Sequence, residues 1–177
     1  MIQRRPDPRE IALGMFEPNS RLLAAAGRVS AAVGPVVGGV AVFLHGYRRT
    51  TVDVDVYCED TAAAAAALEA IGAVWDAQRR EHQLDGVPVR LVTSAQTGSA
   101  PRSSTEIDGV RVISLADLIQ FKLRSGLGSV TRAKDLADVV ELIRAAGLDK
   151  TFAARLPKDL RPEFRKLAEA VRGDQGA

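Results

Sequence analysis

A strictly alternating segment, TVDVDVYC at residues 51–58, constrains the fold more than any other part of the chain. Successive side chains of a strand point to opposite faces, so the valines share one face and the aspartates share the other. Asp53 and Asp55 would then lie about 7 Å apart along the strand, at a rise of roughly 3.3 Å per residue. The segment predicts a strand with one buried face and one face that carries two carboxylates.

Helix and strand signals alternate on both sides of this segment. EDTAAAAAALEAIG at 59–72 has the composition of a helix, and VPVRLVTS at 87–94 follows HQLDG as a hairpin that turns at Asp85-Gly86. Two amphipathic helical segments follow Ser114. The pattern predicts an α+β (mixed α/β) fold: a mixed sheet with helices packed on one face and a helical C-terminal part. We expect residues 1–113 to form the core and residues 114–177 to form a C-terminal helical segment of the same compact domain.

Composition limits the classes of function. The 177 residues suit one domain, and the net charge of +2 comes from interspersed charges that form no basic stripe for nucleic acid. A single cysteine, Cys58, and two histidines exclude a thiol-rich metal site and an internal disulfide, which favours a cytoplasmic location. The N-terminal residues lack the apolar stretch of a signal peptide, and no apolar run approaches the roughly 20 residues of a membrane span. We therefore expect no membrane partner.

Two carboxylates on one strand face repel each other unless a positive charge lies beside them. Mg²⁺ is one solution, because it takes carboxylate oxygens and keeps sites for water and substrate phosphates. The alternative is a half-exposed edge strand whose aspartates face water. Upstream, VVGGVAVFLHG contains a Gly-Gly turn at Gly38 and Gly39, where backbone N–H groups could hold phosphate. A plain tight turn would need the same residues.

Taken together, GGVAVFLHGYRRTTVDVDV resembles the first motif of the nucleotidyltransferase superfamily with the polymerase-beta-like core. That motif is Gly-Gly or Gly-Ser, a short helix and then Arg-x-Thr-x-Asp-x-Asp, here Gly38, Gly39, Arg49, Thr51, Asp53 and Asp55. The His45-Gly46 pair and the later ISLADLIQFKL and TRAKDLADVVELI segments resemble the branch that includes abortive-infection and toxin-type nucleotidyltransferases. The resemblance covers roughly residues 34 to 147 in two blocks.

The resemblance implies a nucleotidyltransferase-like fold and a role for each matched residue. Asp53 and Asp55 would hold Mg²⁺, and the two glycines of the turn would contact the phosphates. Lys122 would meet the triphosphate, and Asp135 would supply the acid that follows a basic residue, here Lys134. Arg49 and Thr51 would contribute to the nucleotide site.

Considered as residues alone, these positions also allow simpler roles. Lys122 could lie on a solvated helix face, and Asp135 and Asp138 could simply favour the N-terminal end of a helix dipole. Arg49 and Thr51 could orient the turn instead of binding nucleotide. His45 could pack against the sheet.

One departure from the family pattern affects catalysis. The family carries a third carboxylate on a neighbouring strand, which acts as general base and completes the metal site. In VPVRLV that position holds Arg90. Arginine cannot accept a proton, and its charge could take the place of the metal, so Arg90 could disrupt the site. Four other acids could supply the missing carboxylate: Asp85, Asp108, Asp135 and Asp138.

The expected function is transfer of a nucleoside monophosphate from an NTP, with Mg²⁺, to a hydroxyl of a small molecule, an RNA end or a protein side chain. The alternative is a catalytically degenerate relative that binds nucleotide or a partner protein, as in toxin–antitoxin pairs. A further alternative is a small antibiotic-modifying nucleotidyltransferase. The balanced charge disfavours a large nucleic acid as an obligate partner, although an RNA end needs few contacts.

Overall fold

The computed structural model describes the backbone of residues 8–174 and the side chains of residues 20–174. Its elements, in chain order, are α1 (Pro8–Ala32), β1 (Val36–Val37), α2 (Gly38–Leu44), β2 (Val54–Tyr57), α3 (Thr61–Ala70), β3 (Val74–Asp76), β4 (Glu81–Leu84), β5 (Val87–Val92), α4 (Ser94–Thr97), β6 (Ser104–Ile107), β7 (Val110–Ile113), α5 (Leu115–Gly128), α6 (Ala133–Ala145) and α7 (Arg161–Asp174). Short 3₁₀ turns lie at Val130–Arg132, Lys150–Arg155 and Lys158–Leu160. The mixed α+β class is confirmed.

The strands form one seven-stranded mixed sheet in the order β3-β4-β5-β2-β1-β7-β6. Strand β1 runs antiparallel to β2, which sets Val37 opposite Asp55, and β5 runs parallel to β2, which sets Arg90 opposite Asp55. Because cross-strand partners share a face, Arg90 lies on the face that carries the two aspartates. The Gly-Gly turn follows β1 directly and therefore lies beside the start of β2.

Helices cover both faces of the sheet. On one face, Val36, Val54 and Val56 form a core with α1 and α3. On the other, Val37 and Tyr57 pack in a second core with residues of α5, α6 and α7. The expectation of helices on one face is therefore wrong, because the aspartate face is apolar away from the start of β2.

Local turn chemistry fixes the two hairpins at the ends of the sheet. Asp85 and Gly86 have φ values of 51° and 79°, and Asp108 and Gly109 have φ values of 51° and 75°. Asp-Gly pairs suit this left-handed conformation, whose twist matches that of the flanking strands. The hairpin predicted at Asp85-Gly86 is thus observed, and its register pairs His82 with Val89, Gln83 with Pro88 and Leu84 with Val87.

The C-terminal helices pack onto the sheet rather than forming a separate core. Ser114 caps α5, where its hydroxyl accepts a hydrogen bond from the backbone N–H of Asp117. Leu118, Ile119 and Leu142 are fully or almost fully buried against strand residues and α7. Between residues 8 and 174, no helix is both long enough and apolar enough to cross a membrane.

Candidate active site

A cleft of about 1210 Å³ lies over the aspartate face of the sheet. It is bounded by the Gly-Gly turn, the start of β2, the β4–β5 hairpin, and helices α5 and α6. Every residue that the sequence indicated as part of a site lines this cleft: Gly38, Gly39, Arg49, Thr51, Asp53, Asp55, Arg90, Lys122 and Asp135. The two sequence blocks, far apart in the chain, therefore meet in one place.

The Gly-Gly turn contacts the aspartate strand directly. Gly38 has a φ of 64°, which side chains with a Cβ rarely adopt, and a Cβ at this position would overlap the Asp55 carboxylate. A Cβ on Gly39 would overlap the Thr51 hydroxyl. Close packing thus requires glycine at both positions, and the backbone conformation requires it at Gly38 as well. The turn exposes its backbone to the cleft at the point where the carboxylates lie.

Asp53 and Asp55 differ in how their charge is balanced. Asp53 accepts hydrogen bonds from Arg90 Nη1 at 2.6 Å and from the Thr51 hydroxyl at 3.3 Å. The Asp55 carboxylate has no hydrogen bond or ion pair to any residue that the structure describes. Burial and the neighbouring Asp53 charge raise the pKa of Asp55 to about 6, against weaker opposing effects of Arg90 and Lys122. Asp55 is a carboxylate that lacks a counter-ion.

Arg90 is held between two acids, one of which the sequence analysis missed. Its Nη1 contacts Asp53 at 2.6 Å, and its Nε donates to Glu81 Oε2 at 3.1 Å. Glu81 is buried on β4, one residue beyond the His82–Val89 pair, so the register of the hairpin brings it across from Arg90. The signal was present in the sequence, because a two-residue turn at Asp85-Gly86 sets residue 81 across from residue 90.

A second cluster of charges joins α5 to α6. Lys122 Nζ lies 2.6 Å from Asp135 and 2.8 Å from Asp138, and all three side chains are buried. Asp135 also accepts hydrogen bonds from Ser125 at 2.6 Å and from Arg132 at 2.7 Å. Burial raises the pKa of Asp135, but these hydrogen bonds outweigh it and hold the pKa below its ordinary value. Lys122 is therefore not on a solvated face, and Asp135 is a weak proton acceptor.

Arg49 connects this cluster to the Gly-Gly turn. Its guanidinium lies 2.9 Å from Asp138 Oδ1 and donates to Oδ2 at 3.1 Å. The same side chain is 3.4 Å from the position that a Cβ on Gly39 would occupy. Asp138, which is only 2% exposed, thus fixes both Arg49 and Lys122. The sequence indicated Asp138 as a possible third acid or as a charge that favours a helix N-terminus, and it did not predict this role.

Three other residues considered from the sequence lie outside the cleft lining. His45 contacts the backbone carbonyl of Ile113 at 2.8 Å, and burial lowers its pKa. Asp85 forms an ion pair with Arg28, and Asp108 lies in the β6–β7 turn. Neither acid can act as the third carboxylate of this cleft in the observed arrangement.

The side chains of the cleft can be compared with the ligands that a divalent cation requires. Within the described residues there is no group of three or more His, Cys, Asp or Glu side chains that could hold a metal ion. Mg²⁺, however, is commonly bound through one or two carboxylates, with water and substrate phosphates as the other ligands. Asp55, which lacks a counter-ion, and Asp53 beside it fit that requirement when a triphosphate lies at the turn. Arg90, which contacts Asp53, would compete with the cation for that carboxylate.

Solved structures share this fold. A protein from Helicobacter pylori described as a "putative nucleotidyltransferase" superposes with a TM-score of 0.54 at 15% sequence identity, covering 88% of this chain and 93% of that one. JHP933 from Helicobacter pylori superposes with a TM-score of 0.50 at 17% identity, covering 88% and 90%. No protein-family model and no curated protein matches the sequence. The likeness shows a nucleotidyltransferase-like fold.

Proposed function

We propose that the protein is a nucleotidyltransferase that uses Mg²⁺ to transfer a nucleoside monophosphate from an NTP to a hydroxyl acceptor. The observation that carries the proposal is the position of Asp55. Its carboxylate has no counter-ion, lies against Gly38 and faces the cleft. A cation together with a triphosphate would remove the charge repulsion between Asp53 and Asp55, since each ligand compensates the other.

In this reaction the acceptor oxygen attacks the α-phosphorus, the bond to pyrophosphate breaks, and the hydroxyl proton passes to a base. Asp53 and Asp55 would hold the metal, which when bound neutralises charge on the triphosphate and on the leaving group. Gly38 and Gly39 would let the phosphates approach the backbone. Arg49, fixed by Asp138, would lie beside them.

Lys122 and Asp135 would act at the other wall of the cleft. The Lys122 ammonium is shared between two carboxylates, so its charge is already balanced before nucleotide binds. We propose that Asp135 positions Lys122 and Arg132 and does not accept the acceptor proton, because its pKa is below the ordinary value. Thr51, hydrogen-bonded to Asp53, would orient that carboxylate.

A second candidate function is nucleotide binding without turnover. The specific observation in its favour is the 2.6 Å contact between Arg90 and Asp53, which places a fixed positive charge where a metal would bind. Arg90 also stands where the superfamily has its third carboxylate, and Glu81, another acid that lines the cleft, is paired with Arg90. A protein of this kind would bind nucleotide weakly with metal and transfer nothing.

Transfer of radiolabel distinguishes the two candidates. Purified protein is incubated with an α-³²P-labelled NTP, Mg²⁺ and a cell extract, and label in RNA, protein and small molecules is separated and counted. Transfer from α-labelled but not from γ-labelled NTP supports the enzyme. Absence of transfer, together with a metal-dependent thermal shift by NTP, supports the binding module.

The thermal shift has a matched pair of variants. Asp53→Asn should lose the stabilisation by Mg²⁺ and NTP, which for wild type reaches about 2.7 kcal/mol at a hundredfold excess over Kd. Asp108→Asn makes the same chemical change in a turn outside the cleft, where asparagine suits the left-handed backbone. This variant should keep the stabilisation by Mg²⁺ and NTP. Equal shifts for the two variants would contradict a nucleotide site at Asp53.

A further inference from the structure

The two sides of strand β2 differ in what they offer its aspartates. Strand β5 lies on one side of β2, and strand β1 lies on the other. From the β5 side, Arg90 Nη1 contacts Asp53 Oδ2 at 2.6 Å. On the β1 side, the Asp55 carboxylate lies against Gly38, which has no side chain that could balance its charge. A cation of the protein therefore occupies one side of the two aspartates, and the other side has none.

Glu81 holds Arg90 in this position at a second point. The Arg90 side chain is 54% exposed, and one exposed ion pair alone would fix such a long side chain weakly. Arg90 Nε also donates to Glu81 Oε2 at 3.1 Å. Glu81 is buried, and its other oxygen accepts a hydrogen bond from Gln83 at 3.0 Å. Because the planar guanidinium is bound through Nε and Nη1 at once, both its position and its orientation are fixed.

Withdrawal of Arg90 from this position would be costly. It would leave Glu81 buried without a counter-ion, and a buried charge that loses its partner destabilises the fold strongly. It would also remove the cation from Asp53. Arg90 is therefore a fixed cation of the cleft and not a mobile surface side chain.

The oxygens of the three carboxylates differ in what they can still bind. Asp53 accepts from Arg90 at one oxygen and from the Thr51 hydroxyl at the other. Glu81 accepts from Arg90 at one oxygen and from Gln83 at the other. Asp55 alone keeps both oxygens without a hydrogen-bond donor from any residue that the structure describes. The cleft thus offers a metal one fully available carboxylate and a share of a second.

A pair of divalent cations would need more than this. Two-metal sites hold their ions about 3.5–4 Å apart, so acidic ligands must surround both. On the β5 side, the superfamily's third carboxylate is replaced by Arg90. A second divalent cation at that side of Asp53 would lie beside a guanidinium that is already bound there, and the two like charges would repel each other.

We propose that Arg90, positioned by Glu81, takes the place of a second metal ion, so that the cleft binds a single divalent cation with each nucleotide. This inference rests on the proposed function. The cation is held by Asp55 with a share of Asp53, and the guanidinium stays on Asp53 Oδ2 when nucleotide is bound. Arg90 then supplies fixed positive charge to the site and cannot accept the proton of the acceptor hydroxyl.

Counting bound Mn²⁺, which replaces Mg²⁺ at oxygen ligands, tests the proposal without turnover. The full chain is dialysed to equilibrium against Mn²⁺ and the α,β-methylene analogue of ATP, GTP, CTP or UTP in separate runs, because transfer cannot cleave the bond between the α- and β-phosphorus of these analogues. Electron paramagnetic resonance gives the free Mn²⁺, and absorbance gives the nucleotide. We expect wild type to retain one Mn²⁺ for each nucleotide. A ratio of two would overturn the proposal and leave the proposed function intact.

Arg90→Asp is the decisive variant, and Arg165→Asp is its matched control. Arg90→Asp removes the guanidinium and adds a carboxylate beside Asp53, so the ratio should rise to two. Arg165→Asp makes the same change of charge at an exposed position of α7 that does not line the cleft, and the ratio should stay at one. A ratio of one in Arg90→Asp would show that Arg90 does not occupy a metal position. The wild-type ratio decides the proposal even where Arg90→Asp does not fold.

Glu81→Gln tests whether Glu81 positions Arg90. Glutamine keeps the size of the side chain but removes the charge that holds Arg90 Nε. The Nε–H signal of Arg90 in ¹H–¹⁵N spectra, assigned by its loss in Arg90→Gln, should exchange slowly with solvent in wild type and about tenfold faster in Glu81→Gln. Equal rates in the two proteins would show that Glu81 does not hold Arg90. Loss of the slow signal when wild type binds Mg²⁺ and the analogue would show that Arg90 is not a fixed cation.

Failure of the proposed function has a different signature. If wild type retains no nucleotide at any Mn²⁺ concentration, the nucleotide site fails. The Mn²⁺ count without nucleotide then decides the role of Arg90 alone. More Mn²⁺ on Arg90→Asp than on wild type would support Arg90 as the cation that replaces a metal, and equal counts would overturn it.

Discussion

Two pairs of aspartates lie in or beside the same cleft and differ in charge balance. Asp135 and Asp138 are buried and share Lys122, with Arg132 and Arg49 as further partners. Asp53 and Asp55 have one arginine between them, and it contacts Asp53 alone. The pKa of Asp135 lies below its ordinary value, whereas burial and Asp53 raise that of Asp55 to about 6.

The difference separates a structural role from a binding role. A carboxylate whose partners are all supplied by the chain stabilises the fold and has nothing left for a ligand. A carboxylate that lacks a partner destabilises the fold and gains from a cation. The first pair therefore holds α5, α6 and Arg49 in place, and the second pair takes the metal. Each prediction below changes one of these aspartates, its charge, or a basic side chain that contacts it.

The largest effect should come from Lys122→Met. Removing the ammonium leaves Asp135 and Asp138 buried with reduced compensation, which costs about 3–5 kcal/mol of unfolding free energy for a buried pair. Urea denaturation measures the loss. Lys150→Met, at an exposed position outside the cleft, is the control and should change stability by less than about 0.5 kcal/mol. A loss below about 1 kcal/mol would show that the two aspartates do not depend on Lys122.

Asp55→Asn and Asp138→Asn should have opposite effects on stability. Without ligand, Asp55→Asn should be at least as stable as wild type, because it removes a carboxylate that lacks a counter-ion. It should also lose the ligand-dependent gain of about 2.7 kcal/mol at a hundredfold excess of Mg²⁺-NTP. Asp138→Asn should be less stable without ligand, because Lys122 and Arg49 lose a partner. Differential scanning calorimetry with and without ligand measures both, and effects of the same sign would remove the distinction between the pairs.

Arg90→Asp should make the site around Asp53 and Asp55 still more acidic. The change restores a third carboxylate beside Asp53 and Asp55 and leaves Glu81 without its partner. Without metal, stability should fall by about 2 kcal/mol, through repulsion among like charges that are partly solvated. The gain from Mg²⁺ should exceed that of wild type. Arg90→Gln, which removes the charge without adding one, should give intermediate values.

An activity result can contradict this interpretation of Arg90. If wild type binds Mg²⁺-NTP tightly and transfers the nucleotide, and Arg90→Ala abolishes transfer, then Arg90 contacts phosphate and is a catalytic residue. Its contact with Asp53 would then be a ligand-free arrangement that nucleotide replaces.

The sequence predicted those parts of the site that depend on local rules. Alternation places Asp53 and Asp55 on one face, and the glycines at 38 and 39 mark a turn that closes against them. The register of the Asp85-Gly86 hairpin would also have revealed Glu81, since turn length fixes which residues of two strands oppose each other.

The remaining features depend on how distant elements pack. Nothing near Lys122 in the sequence shows that it lies between two aspartates of α6, because that requires the approach of α5 to α6. The contact between Arg49 and Asp138 spans 89 residues and depends on the same packing. Helices on both faces of the sheet were missed for a related reason: apart from Tyr57, the apolar residues of the aspartate face, such as Val37 and Ile113, lie outside the segment whose alternation was analysed.

The smallest effect is a dependence of stability on pH that separates the two pairs. The pKa of Asp55 is about 6 in the folded protein and near 3.9 in the unfolded chain, so the folded state binds more protons between these values. Stability from Asp55 therefore falls as pH rises from about 4 to about 6 and is fully lost above that range. The whole shift corresponds to about 3 kcal/mol, and we expect about 1–2 kcal/mol because the carboxyl is partly solvated.

The contribution of Asp135 to stability depends on pH in the opposite way and over a more acidic pH range. Its folded pKa is depressed, so its contribution is present at neutral pH and is lost only as pH falls below the ordinary range for aspartate. The difference in unfolding free energy between wild type and Asp55→Asn, measured by urea denaturation from pH 4.5 to 7.5, should thus isolate Asp55. That difference should favour wild type increasingly as pH falls toward 4.5. A difference that does not change across the range would mean that Asp55 titrates normally and that Arg90 already balances the charge of Asp53 and Asp55.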